Sequence, residues 1–147
     1  MQIAPYLDAD FDGVRALWTE LFPNDPPWNR AEVAIPEKLA TQRDLLLVAK
    51  EDGGVIGTAM AGYDGHRGRL YTVAVKASQQ RKGIASALVE QAEKRLVSLG
   101  CSKINLQIRS GNEAVTAFYR RHGYQIEERI SMGKRFNAKP NAGLQSL

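Results

Sequence analysis

Apolar positions along the chain recur in some stretches every second residue and in others about every 3.6, which predicts mixed α and β structure. Phe11, Val14, Leu17, Trp18, Leu21 and Phe22 share one helical face after the acidic Asp8 and Asp10. Pro23, Pro26 and Pro27 stop that helix, so it is expected over about residues 9–22. Trp28 to Thr41 reads as a second, short helical segment. Pro36 has no N–H for a helix interior and is expected to start a turn there. Leu45-Leu46-Leu47-Val48-Ala49 reads as a buried strand, returned by the turn Glu51-Asp52-Gly53-Gly54 into Val55 to Met60 as a hairpin. A second turn, Tyr63 to Gly68, leads into Leu70 to Val75, so three consecutive antiparallel strands are expected.

Farther on, Ile84, Leu88, Ala92, Leu96 and Leu99 form an apolar stripe, and Gly100 closes the helix where a left-handed residue is favoured. Ile104, Leu106 and Ile108 alternate with Asn105, Gln107 and Arg109, giving a strand with one polar face that should run parallel to Leu70–Val75. A right-handed strand–helix–strand crossover places the helix N-terminus at the carboxyl end of the preceding strand, the edge where ligands gather. Ser110 and Glu113 have capping-box spacing with Asn112 as an alternative cap, and Val115, Phe118 and His122 mark a helix ending at Gly123. A final strand pair is expected near Tyr124–Glu128 and Ser131–Phe136, followed by a mobile tail from Asn137 to Leu147, which has no apolar period. The organisation is thus one domain over residues 1–136 and a tail over 137–147.

Composition narrows the function without choosing it. The 147 residues suffice for one ordinary domain, and no apolar run approaches the roughly 20 residues of a membrane span. The first residues lack the basic-then-apolar layout of a signal peptide, and the lone Cys101 fits a reducing compartment, so the protein is expected to be cytoplasmic. The two histidines, His66 and His122, stand in a turn and at a helix end with no metal-ligand spacing, so no metal site is expected. Neither a Walker loop nor a Gly-x-Gly-x-x-Gly motif is present. A net charge of +4 suits a polyanionic partner, either nucleic acid or a phosphorylated cofactor.

The segment Gln80-Arg81-Lys82-Gly83-Ile84-Ala85 favours the cofactor. Arg81 and Lys82 stand where the helix dipole disfavours cations by roughly 0.3–1 kcal/mol each, and Gly83 weakens the first turn. A bound pyrophosphate would offset the charge, and the missing side chain would let it reach the backbone, so the segment reads as an anion cradle.

The order of strand, Gln-x-x-Gly-x-Ala loop, helix and alternating strand, then Asn112, Ala117-Phe118-Tyr119 and Gly123-Tyr124, resembles the GNAT family of acetyl-CoA-dependent N-acetyltransferases. The likeness covers about residues 45–136. Gly62-Tyr63-Asp64-Gly65-His66-Arg67-Gly68 and Gly133-Lys134-Arg135 are most similar to the small bacterial YpeA-type members. The resemblance implies an α/β GNAT fold, with a mixed, mostly antiparallel sheet, a central parallel and splayed strand pair, and helices on both faces. It implies that Gln80, Arg81, Lys82, Gly83, Ile84, Ala85 and Ser86 meet the diphosphate of acetyl-CoA, and that the backbone of Thr72, Val73, Ala74 and Val75 holds the pantetheine arm and thioester carbonyl. Unpaired groups on a splayed strand suit a pseudo-peptide. Asn112 corresponds to a pantetheine-contacting Asn, with a plain helix cap as the alternative, and Tyr119 to a tyrosine near the thioester sulfur, with a core aromatic as the alternative.

The implied chemistry is direct transfer of acetyl to a primary amine of a small molecule or peptide, through an oxyanion held by a backbone N–H of residues 72–75. An acceptor amine with pKa about 10.4 must first lose a proton. Many relatives use a Glu on the strand before the loop; none stands between Leu70 and Val75 here, leaving Asp64, Tyr71 or, ranked first, a water chain. Tyr119 as proton donor to the departing thiolate transfers uphill by roughly 2 kcal/mol. Trp28, Tyr63, Asp64 and Tyr71 are candidate acceptor-pocket residues. Cys101 follows Gly100 on the far side of the crossover, which argues against a covalent acetyl-Cys. Two other readings stay open. One is a non-catalytic acetyl-CoA sensor; the other is a nucleic-acid binder, against which cations alternate with acids at Glu90, Glu93, Lys94 and Arg95. Neither nucleic acid nor membrane is expected as partner, and a homodimer is possible.

Overall fold

The structure, a computed structural model, describes residues 1–136; the tail expected at 137–147 lies outside the described residues. The chain divides into two compact units, residues 1–111 and the segment from Asn112 onward. The first unit holds strands β1 (Gln2–Pro5), β2 (Leu46–Glu51), β3 (Gly54–Tyr63), β4 (Gly68–Val75) and β5 (Ile104–Asn105). Its helices are α1 (Phe11–Leu21), α2 (Ala31–Gln42) and α3 (Ile84–Ser98). The strands lie in the order β1-β2-β3-β4-β5, antiparallel throughout except for the parallel pair β4–β5. The β2–β3 hairpin turns on Asp52 (φ 52°) and Gly53 (φ 80°), two positive φ angles in the Asp-Gly pattern whose twist matches that of the strands it joins.

Strand alternation gives the sheet two covered faces. Leu46, Val48, Met60 and Ala74 join Val14, Leu17 and Trp18 of α1 and Ala31 and Ile35 of α2 in one apolar cluster. The alternate residues face α3: at Gly57 a Cβ would stand 2.9 Å from Leu88 Cδ1, and at Gly68 one would stand 2.7 Å from Cys101 Sγ. Both glycines let α3 and the segment after it lie close on the strands. At the head of α1, buried Asp10 accepts Leu7 N–H (2.9 Å) and pairs with Lys50 Nζ (2.9 Å), so a carboxylate removed from water is fully partnered.

Several sequence expectations change. Gln2–Pro5 is a strand, paired with β2 from Gln2↔Lys50 to Pro5↔Leu47. Pro36 sits inside α2 and starts no turn. Its missing N–H would have bonded Glu32 C=O, and both residues lie on the exposed side of the helix, where losing that bond costs least. Leu99 is off the buried stripe, 54% exposed, because α3 ends at Ser98; Gly100 (φ 98°) closes the turn as expected. The strand expected over 104–109 is only two residues long. The parallel pair is at the edge of the described sheet and not at its centre, since among the described residues no strand follows β5.

In the second unit, α4 (Glu113–Arg121) starts at Asn112, whose Oδ1 accepts Val115 N–H (3.3 Å); Asn112 and not Ser110 is the cap. Gly123 has φ 90° and follows the last turn. Tyr119 is buried, edge-on to Phe118 (centroids 5.0 Å) and to Tyr124 (5.5 Å). The strands expected at Tyr124–Glu128 and Ser131–Phe136 do not form, and Ile126, Ile130, Met132 and Phe136 are exposed. Alternation supplies a strand's faces but not its ladder, and a lone hairpin is marginal.

Candidate active site

The site begins with an irregularity in β4. Thr58 faces Ala74 and Met60 faces Tyr71, so β4 spends three steps where β3 spends two, and Thr72–Val73 bulge opposite Ala59. Thr72 has φ 51°, a left-handed conformation that costs a β-branched residue on the order of 1–3 kcal/mol and persists only where the surroundings impose it. A buried relay imposes it here. Trp18 Nε1–H donates to Thr58 Oγ1 (2.9 Å), and Thr58 Oγ1–H donates to Thr72 C=O (3.2 Å). A bulge leaves the extra residue's other backbone groups outside the ladder, available to something that is not a strand.

On its other side β4 is also unpaired. It meets β5 only at Gly68↔Ile104 and Arg69↔Asn105, so Leu70–Val75 diverge from β5 without a ladder. This is the splay expected at Thr72–Val75. Directly after Val75 the chain makes a short 3-10 turn, Ala77–Gln79, and enters α3. Gln80 Nε2–H donates to Val75 C=O (3.1 Å), tying the loop to the end of β4. Arg81 (φ 66°) and Gly83 (φ 79°) are both left-handed, and apart from the adjoining chain no atom stands within 4 Å of where a Gly83 Cβ would be. Positive-φ residues next to a helix start make a concave row of N–H groups. Gly83 is the N-cap and has no side chain to accept from the first backbone N–H groups of α3, while its C=O takes Ala87 N–H (3.0 Å) as the first helical bond. Lys82 Nζ reaches Gln79 Oε1 (3.3 Å), which keeps its charge at the loop. Ile84 is buried and Ala85 and Ser86 are half-buried in the first turn, so these residues contribute backbone more than side chain.

The acceptor-pocket residues do not all gather in one place. Tyr71 leaves β4 on the α1/α2 face, with Oη over Gly62, whereas Tyr63 leaves β3 on the α3 face, with Oη 3.9 Å from the Cβ position of Gly100. Strand parity separates the two tyrosines. Trp28 is in a 3-10 turn, Pro27–Asn29, 39% exposed. Asp64 serves the β3–β4 turn: Oδ1 accepts Arg67 N–H (2.7 Å) and His66 N–H (2.8 Å), and these bonds hold its carboxyl below the usual range. A carboxylate so stabilised is a poor base. Cys101 is buried at the Gly68 end of β4, the opposite end from the loop, with Sγ donating to Lys103 C=O (3.2 Å). In the second unit, burial pushes the Tyr119 phenol up to about 12.

One residue was missed. Lys38 is buried on α2, and desolvation pulls its ammonium down to about 8. Ala31, Ile35 and Lys38 at i, i+4 and i+7 share one face, a spacing that puts the lysine on a buried stripe. Among the described residues no cluster of His, Cys, Asp and Glu has metal-holding geometry, and no helix is long and apolar enough to cross a membrane.

Comparison with known proteins bears on this arrangement directly. The family model described as "Acetyltransferase (GNAT) family" matches residues 11–124. The acetyltransferase ECA0875 of Pectobacterium atrosepticum is 41% identical over 135 residues, 92% of this chain and 95% of that one. Among solved structures, a putative acetyltransferase from Agrobacterium tumefaciens superposes with a TM-score of 0.74 at 20% identity, covering 92% of this chain and all of the other. AAC(6')-Iy, solved with a bisubstrate analog CoA-S-monomethyl-acetylneamine, gives a TM-score of 0.74 at 22% identity over 92% and 98% of the two chains. With a left-handed loop at the N-terminus of α3, a splayed β4 and these matches together, the chain belongs to the GNAT family and is an acetyltransferase.

Proposed function

We propose that the protein uses acetyl-CoA as cosubstrate and moves its acetyl group directly to a primary amine, the acceptor being a small molecule or a peptide. The observation that carries this reading is the continuity of β4 with its loop. One strand supplies backbone that bulges from β3 at Thr72–Val73 and has no ladder to β5 from Leu70 to Val75, and then runs within a few residues into the N-terminus of α3, which has no side-chain cap. A linear cofactor with a pseudo-peptide arm and a diphosphate needs those two features in that order. In this reading Arg81, Lys82, Gly83 and Ala85 meet the diphosphate, Thr72–Val75 hold the pantetheine arm, and an N–H of the bulge receives the oxyanion as the neutral amine attacks.

The proton steps follow from what the groups are already doing. Asp64 is committed to its turn, so water takes the acceptor's proton. Tyr119, with its phenol at about 12, stays protonated while a thiolate of pKa near 8.5 leaves. Full transfer would then be uphill by about 5 kcal/mol, so the part proposed for Tyr119 is a hydrogen bond to the thiolate and not a delivered proton. Asn112, whose Oδ1 is used by the cap, is assigned to pantetheine through its amide nitrogen. The test is a panel of primary amines with acetyl-CoA, read as free thiol released and as acetylated product by mass. Stoichiometric thiol and acetyl-amine support direct transfer; acetyl-CoA binding with no product from any amine would make the protein a sensor.

A further inference from the structure

The α1/α2 face of the sheet carries a buried charge that the transfer chemistry above leaves without a role. Lys38 is 9% exposed, and one N–H of its ammonium donates to Gln42 Oε1 (3.3 Å). Gln42 is itself fixed, with Nε2 donating to Tyr63 C=O (2.7 Å) and Oε1 accepting Tyr63 N–H (3.1 Å). The ammonium therefore rests on a rigid support. Among the described residues no carboxylate pairs with it, and its lowered pKa of about 8 has burial as its cause and no neighbouring charge. A buried cation without a counter-charge is costly, and its remaining N–H groups call for an acceptor.

The surroundings show where that acceptor would sit. The point at which a Gly62 Cβ would stand is 3.6 Å from Lys38 Nζ and 2.5 Å from Tyr71 Oη, so the two polar groups converge over a residue that has no side chain. Tyr71 is 44% exposed, so of this pair it is the tyrosine that reaches solvent while Lys38 lies buried behind it. Arg69 is directly opposite Gly62 in the β3–β4 register, so its exposed side chain leaves the same face. Tyr71 is also the residue before the bulge, and Gly62 is three residues along β3 from Ala59, roughly 10 Å.

We propose that Lys38 and Tyr71, with Arg69 at the rim, form an acceptor subsite for an anionic group, so that the amine this enzyme acetylates carries a carboxylate or a phosphate several bonds from its nitrogen. The proposal rests on the N-acetyltransferase reading and deepens it by naming the class of acceptor. The anion takes the free N–H donors of Lys38 and the O–H of Tyr71, and its charge replaces the missing counter-ion. Gly62, having no side chain, lets the Tyr71 hydroxyl lie against the strand beside Lys38 Nζ.

Matched pairs test this: 6-aminohexanoate against 6-aminohexanamide, and 3-aminopropyl phosphate against 3-amino-1-propanol. Each is titrated calorimetrically into CoA-loaded protein and assayed for thiol release with acetyl-CoA. Charge-assisted hydrogen bonds predict that the anionic member binds about 10- to 100-fold tighter, and the pair with the larger ratio tells carboxylate from phosphate. Lys38→Met should bring the ratio near one, and Tyr71→Phe, which leaves the buried amine alone, should lower it by a smaller factor. Equal affinity within both pairs, or a ratio that survives in Lys38→Met, overturns the subsite. Thiol release at equal KM from both members of each pair would do the same while leaving acetyl transfer standing. Lys38-dependent binding of the anionic amine without any thiol release would uphold the subsite and overturn the transfer reading.

Discussion

The two faces of the sheet in residues 1–111 are built on different chemistry. Toward α3, Leu47, Ala49, Ala59, Ala61, Leu88 and Leu96 are fully buried and apolar. Toward α1 and α2 lies an apolar cluster of the same kind, but all three buried polar or charged side chains among the described residues, Asp10, Lys38 and Thr58, also belong to this side. A buried polar group lowers stability unless partnered and then fixes geometry, so the second face carries positional information that the first does not need. The α3 face holds the sheet together. The α1/α2 face shapes β4, through Trp18 and Thr58, into the bulge that the proposed chemistry requires.

Breaking the packing face should have the largest effect on stability. Leu88→Ala removes a fully buried side chain between α3 and the sheet and is expected to cost about 2–5 kcal/mol in denaturant unfolding, with KM for the amine unchanged in the molecules that remain folded. Thr58→Val tests the other face. It keeps the shape but leaves Trp18 Nε1–H buried without an acceptor and Thr72 C=O without its donor, for about 1–3 kcal/mol. Here single-turnover transfer should fall together with stability, because the bulge loses its tether; an unchanged transfer rate would show that the relay only packs.

The faces also differ in their response to pH. Lys38 has a folded pKa of about 8 against 10.5 when unfolded, so between these values the unfolded chain binds the extra proton and stability rises with pH. The gain is complete above the unfolded value and is lost as pH falls through about 8. Unfolding free energy should increase by on the order of 1–2 kcal/mol from pH 7.5 to 9.5 in the wild type and stay flat in Lys38→Met. Above pH 10 the sign reverses, since burial first of all raises both Tyr6 and Tyr119 and the folded protein then holds protons that the unfolded chain releases. The smallest effect belongs to Tyr119→Phe. Loss of one hydrogen bond to the thiolate is expected to slow single-turnover transfer by about 3- to 10-fold, whereas a loss of 10²–10⁴ would mean that the phenol delivers its proton after all.

What the sequence disclosed follows the same division. Elements held by apolar period were legible: α1, the hairpin of β2 and β3, β4, and α3 up to the residue before Leu99. So was the loop at the head of α3, because Gly83 and two cations at a helix start contradict local propensity, although the left-handed turn at Arg81 was not. What escaped depends on pairing or on context. The four residues Gln2–Pro5 are too short for a period, and their strand exists only through the ladder to β2. The Tyr124–Phe136 segment has the period but no ladder. Pro36 fits inside α2 on its exposed side, together with Glu32, and composition cannot show which side of a helix a proline takes. The bulge at Thr72 has no glycine to announce it; a threonine is forced left-handed by partners on α1 and β3. Lys38 hides in the same way, since a lysine on a helix reads as solvated unless Ala31 and Ile35 are counted with it.

The central claim is that the loop after β4 receives the diphosphate of acetyl-CoA, and titration calorimetry of wild type and Gly83→Glu tests it most directly. Apart from the adjoining chain, no protein atom lies within 4 Å of the Cβ position at Gly83, so the glutamate points into open space and whatever binds there, and the left-handed φ of 79° costs a side chain about 1 kcal/mol. The account predicts that the variant stays folded by circular dichroism and loses measurable acetyl-CoA binding, and that wild-type affinity weakens with added salt. A folded Gly83→Glu protein that binds acetyl-CoA with wild-type affinity would contradict it.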